Sequence, residues 1–83
     1  MKYKVGDIVR VKSIEELKKI TELFGTNFLT YNKNKRVFNI KYMSKYCGKS
    51  LKIKVVCSNF YVLEGNTWSW EDWMLKSNKL ELE

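Results

Sequence analysis

Residues 50–70 read SLKIKVVCSNFYVLEGNTWSW. Leu51, Ile53, Val55 and Cys57 alternate with Lys52 and Lys54. A period of two predicts a half-buried strand with the apolar set inward and the lysines outward. Ser58-Asn59 then forms a tight connection, FYVLE over 60–64 is the return strand, and Gly65-Asn66 makes the next turn. TWSW over 67–70 pairs with that return strand. A run of short antiparallel strands joined by tight turns is the signature of a small β-fold closed around a thin core.

Toward the N-terminus, the stretch YKVGDIVRVK over 3–12 alternates Val5, Val9 and Val11 with Arg10 and Lys12, and Gly6-Asp7 interrupts the alternation just after Val5 as a turn or bulge leading into the strand. Ser13 with Glu16 three residues later is a capping box. Ile14, Leu17, Ile20, Leu23 and Phe24 recur at helical spacing, and Gly25 is a C′ stop, so a helix is predicted over 13–24. Residues 25–36 read as a loop with an exposed turn at 32–36. Phe28-Leu29 and Val37-Phe38 are either short hairpin strands or loop anchors. NIKYMSKYCGK over 39–49 reads as a short helix or helical turn, with Asn39 as its candidate cap, Ile40, Met43 and Cys47 on one face, and Gly48 as its stop. EDWML over 71–75 is one helical turn, and KSNKLELE over 76–83 is a polar tail. The expected class is mainly β with one inserted helix (α+β), a small antiparallel barrel in a single domain of 83 residues.

A chain of this length buries only about 60–65% of its unfolded surface, leaving little room for a deep active site. Histidine is absent, which removes the commonest general base and nucleophile activator. Cys47 and Cys57 alone do not make a usual zinc site, and no glycine-rich phosphate loop appears. The chain therefore reads as a non-enzyme without cofactor or metal. No segment has the apolar length of a membrane span or secretory signal, so the expectation is a cytoplasmic protein without a membrane partner. A monomer or a small homo-oligomer is expected, the latter through open strand edges.

The net charge of +7 is unevenly spread. Residues 23–63 carry eight cations and no acidic residue, while residues 64–83 carry two cations and five acids. A middle with one sign of charge creates a field that favours anionic partners. Lys33, Lys35, Arg36, Lys41, Lys45, Lys49, Lys52 and Lys54 would form a nucleic-acid-binding surface, with Tyr31, Tyr42 and Tyr46 as stacking platforms. Against this, only two of the sixteen cations are arginine, the better reader of bases and phosphates.

The second candidate surface is aromatic. Trp68, Trp70 and Trp73 fall within six residues, beside Glu71 and Asp72. Trp73, Trp68, Tyr61, Glu71 and Asp72 would supply a protein-binding rim, because exposed aromatic residues dominate binding hot spots. Two readings of Trp73 stay open: an exposed anchor, or a cap over the barrel's open end with its N–H bonded to a backbone carbonyl.

Gly6-Asp7 in the opening strand, then Met43, Tyr46, Gly48 and Lys49, then Trp70, Glu71, Asp72, Met74 and Leu75, form a pattern that resembles small SH3-like barrel proteins of bacteria and their phages. The resemblance covers roughly the first twelve residues and residues 37–75. Helix 13–24 and loop 25–36 stand as elaborations between the matched blocks, and Trp73 occupies a place where a small or polar residue is expected. The resemblance implies that Trp70, Met74 and Leu75 belong to the core or its closing edge. It also implies a binding module that acts on a host protein or nucleoprotein, as counter-defence inhibitors such as anti-CRISPR proteins do. Nucleic-acid binding by the lysine-rich middle is the alternative.

Overall fold

The computed structural model describes residues 2–32 and 36–78. Five strands form one antiparallel sheet: β1 (Ile8–Val11), β5 (Ser50–Val56), β6 (Tyr61–Leu63), β7 (Ser69–Trp70) and β8 (Leu75–Ser77), in the order β7-β6-β5-β1-β8. A second, three-stranded antiparallel sheet lies between β1 and β5 in sequence. It comprises β2 (Glu22–Phe24), β3 (Phe28–Thr30) and β4 (Phe38–Asn39), in that order. Helix α1 (Ile14–Ile20) precedes this sheet, and helix α2 (Ile40–Met43), extended by a 3-10 turn at Ser44–Tyr46, comes after it. The fold is thus mainly β, with two short α-helices rather than one.

Chain connectivity requires the larger sheet to curl. Its outermost strands, β7 and β8, are joined only by residues 71–74, of which Asp72–Met74 form a 3-10 turn. In a flat sheet the two edges would stand about 19 Å apart, at roughly 4.8 Å per strand. Five fully extended residue steps reach at most about 18 Å, and a 3-10 turn advances only about 2 Å per residue. The edges therefore approach each other, and the sheet becomes a half-barrel. Its inner face carries Val9, Val11, Ile53, Tyr61, Leu63, Trp70 and Leu75, all buried, and Met74 in the closing turn joins them. Leu17 from α1, Leu29 and Phe38 from the small sheet, and Met43 from α2 fill the open side.

The capping box forms as expected, with the Glu16 N–H donating to Ser13 Oγ and the Ser13 N–H donating to Glu16 Oε1. The helix, however, ends at Ile20. Thr21 turns extended (φ −124°, ψ 168°), and Leu23 and Phe24 lie in β2 rather than on a helical face. They pair with Leu29 and Phe28 across a hairpin whose turn holds Gly25 at φ +66°. The same left-handed glycine serves a helix stop and a hairpin turn equally well. The region 25–36 is accordingly not one loop, since β3 runs through it.

β5 departs from simple alternation. Its register with β6 shifts between Ile53 and Val55, a β-bulge at Lys54. The bulge flips the strand's parity, so Ile53 is buried but Val55 is exposed and Val56 turns inward instead. The expectation that Val55 faces the core is corrected for that reason. Beyond the closing turn, Leu75–Ser77 pair with β1 at Val9–Val11, so the start of the polar tail is a strand.

Candidate binding groove

The three tryptophans have different environments. Trp73 is 6% exposed, stacks on Tyr31 at 5.6 Å between ring centres, and donates its indole N–H to Glu71 Oε1 at 2.6 Å. Glu71 is itself 7% exposed, and its other oxygen lies 3.9 Å from Arg36 Nη1. Arg36 spreads over the Phe60 ring at 4.0 Å. Tyr31, Trp73, Glu71, Arg36 and Phe60 thus tie the segment around the small sheet to the closing turn of the half-barrel. Trp73 is therefore internal rather than an exposed anchor, and its N–H goes to a carboxylate rather than to a backbone carbonyl.

Tyr61 is fully buried, accepts the Tyr3 N–H and donates to Asp72 Oδ1 at 2.5 Å. Burial, and then that bond to Asp72, raises the phenol's pKa above its ordinary value. Trp70 is buried and edge-on to Phe38 and Tyr46, with its indole N–H on Asn66 Oδ1. Trp73, Tyr61 and Glu71 are therefore internal, and half-buried Asp72 is tied to Tyr61. Of the aromatic rim residues expected from sequence, Trp68 alone lies at an accessible surface.

Trp68 is half-buried, and its ring stacks on Tyr42 at 6.2 Å with planes 20° apart. Tyr42 is 50% exposed, and Lys41 Nζ lies 5.3 Å from its ring centre. Asn39 Oδ1 accepts the Tyr42 N–H, fixing α2 so that Met43 points inward and Tyr42 outward. Trp68 walls an open groove of about 410 Å³, completed by Phe28, Arg36, Val37, Asn39, Met43, Thr67 and Ser69. One side of the groove is the small sheet and the other is the edge strand β7. In the small sheet, Asn39 pairs with Phe28 and Phe28 with Phe24, so these three side chains share a face. The first two line the groove, and Phe24, 68% exposed, continues the row outward.

Lys41, Lys45, Lys49, Lys52 and Lys54 are all exposed. Lys52 pairs in register with Ile8 on the outer face of the half-barrel, remote in topology from the α2 lysines. Lys33 and Lys35 lie outside the described residues. Of the proposed stacking tyrosines, Tyr31 covers Trp73 and Tyr46 sits against Trp70, which leaves Tyr42. Sequence reading missed Phe28 and Met43 as groove residues. Only the pairing of β3 with β4 and the turn at Asn39 bring them there.

A second depression, about 490 Å³, is bordered by Tyr3, Gly6, Asp7, Ile8, Ser77 and Asn78, with no cation among these residues. Among the described residues no group of three His, Cys, Asp or Glu is arranged to hold a metal. Burial, and then the nearby Glu15 and Glu16 charges, push the Cys47 thiol up to about 11, which keeps it protonated at neutral pH. No helix among the described residues is long and apolar enough to cross a membrane. No family model matches the chain, and no curated protein or solved structure matches it.

Proposed function

We propose that the chain is a non-enzymatic binding module built on an SH3-like barrel, and that it binds a host protein or nucleoprotein through the groove beside Trp68. The observation that carries this reading is the division among the tryptophans: Trp70 and Trp73 are consumed by the core, whereas Trp68, stacked on exposed Tyr42, lines a partly apolar groove that holds one arginine. Aromatic residues beside a concave, partly apolar surface are the anchors that dominate protein interfaces. The antiparallel five-stranded order with a 3-10 turn between the last two strands supports the SH3-like reading. A module of bacterial or phage type that acts by occupying its target, in the manner of a counter-defence inhibitor, fits a small chain of this kind.

The test is capture from cell lysate by the tagged protein, with and without nuclease, read by mass spectrometry. The groove reading predicts a defined protein retained after nuclease treatment and lost with Trp68→Ala. Capture should persist in a variant carrying Lys52→Glu and Lys54→Glu. Capture that vanishes with nuclease and with the two lysine changes, but survives Trp68→Ala, would transfer the function to nucleic-acid binding on the outer face.

A further inference from the structure

We infer that the groove receives an extended, acidic segment of the partner protein, added as a further strand along the open edge of β7. The inference rests on the protein-binding reading above and specifies its chemistry. Among the described residues β7 has β6 as its sole strand neighbour, so its other edge offers backbone to an incoming strand. That edge runs through Ser69, which lines the groove. A strand laid there presents side chains alternately to two sides. One set would meet Phe28, Val37 and Met43 across the groove, and the row continues to exposed Phe24. The other set would meet charge. Arg36, whose Nη1 lies 3.9 Å from Glu71, lines the groove, Lys41 lies over the Tyr42 ring that stacks on Trp68, and no residue lining the groove is acidic. An incoming strand that alternates apolar and acidic residues satisfies both sides, whereas a basic strand is repelled.

Two observations favour a polypeptide over a nucleic-acid strand. One face of Trp68 is already covered by Tyr42, which reduces the ring surface left for base stacking. An open β edge, moreover, is matched by another backbone at about 4.8 Å spacing and makes main-chain hydrogen bonds that a phosphate chain cannot reproduce.

The experiment is selection from a library of random eight-residue peptides on the intact protein, with Trp68→Ala as the counter-selection. The enriched peptides are then resynthesised in three forms: unmodified, with glutamate replaced by glutamine, and N-methylated at alternate residues. Circular dichroism confirms that the Trp68→Ala protein is folded. The expected result is enrichment of proline-free sequences alternating acidic and apolar residues. Affinity should fall at least fivefold on amidation and at least tenfold on N-methylation of one alternate set. Amide shifts should be confined to β7, α2 and the small sheet. Peptides that bind beside Trp68 but lack alternation, or tolerate N-methylation of both sets alike, overturn strand addition and leave the groove as a protein-binding site. Failure to enrich any peptide over the Trp68→Ala control also overturns it. If a twelve-residue oligothymidine shifts the same amides and saturates where no peptide does, both this inference and the protein-binding reading fall.

Discussion

Trp68 and Trp73 are five residues apart, and the fold treats them in opposite ways. Trp73 has its ring against Tyr31, its N–H on a buried carboxylate, and almost no contact with solvent. Trp68 is also stacked on a tyrosine, but that tyrosine is itself half exposed and Trp68 borders an open groove. The difference comes from where each residue stands relative to the closure of the sheet. Trp73 sits inside the 3-10 turn that must bring β7 to β8, and its side chain is buried there against Tyr31. Trp68 precedes β7 and lies outside that constraint. Aromatic density in a short segment thus says little about exposure until the closure of the sheet is known.

The contrast can be broken most forcefully at Trp73. Trp73→Ala should destabilise the protein by about 3–5 kcal/mol, since it opens a cavity and removes the indole N–H from Glu71. Trp68→Ala should cost about 1 kcal/mol, because less of its surface is buried. Urea denaturation of the two variants measures both, and comparable losses would remove the distinction. Next in size, Glu71→Ala should cost about 2 kcal/mol by leaving the Trp73 N–H buried without an acceptor. Glu71→Gln retains an acceptor oxygen and should recover part of that loss, as thermal melts of the pair would show.

A smaller effect separates the body from its first helix. The hydrogen bond from Lys76, then that from the Ser13 backbone, hold the Glu16 carboxyl down at about 2 against an ordinary 4.5. A carboxylate whose pKa is lower folded than unfolded stabilises the fold above the unfolded value, and that contribution is lost as pH falls towards the folded one. Stability should therefore decline between about pH 5 and pH 2, with Glu16→Gln flattening that part of the profile. Both side chains are about 40% exposed, so the solvent-screened contribution is about 1 kcal/mol. The smallest change is expected at Tyr3, whose hydroxyl is buried without a hydrogen-bond partner among the described residues. Tyr3→Phe should be neutral or stabilising by a few tenths of a kcal/mol, because it removes an unsatisfied polar atom. A loss above about 1 kcal/mol would mean that the hydroxyl is satisfied in solution.

Much of the fold was legible because its signals are local. The Ser13–Glu16 capping box, the alternation of Val9 and Val11, the Asn39 cap and the turns at Gly6 and Gly65 each depend on residues a few positions apart. The features that escaped reading depend on distant partners. Leu23 and Phe24 fit a helical face, but pairing with Leu29 and Phe28 makes them a strand. Lys76 and Ser77 look like tail residues, but β1 recruits them. The bulge at Lys54 that turns Val55 outward has no signature in the alternation of residues 51–57. The groove obeys the same rule, since its residues come from separate stretches brought together by the small sheet and the β6–β7 turn. The Glu71–Trp73 hydrogen bond was the exception, a pairing two residues apart that sequence spacing already allowed.

The most direct test is hydrogen exchange of the three indole N–H groups, monitored by nuclear magnetic resonance. Two indole protons, those of Trp70 and Trp73, should exchange slowly because each is held by an internal acceptor, while Trp68 should exchange fast. A protected Trp68 together with a rapidly exchanging Trp73 would reverse the assignment of interior and surface, and with it the groove as the binding site.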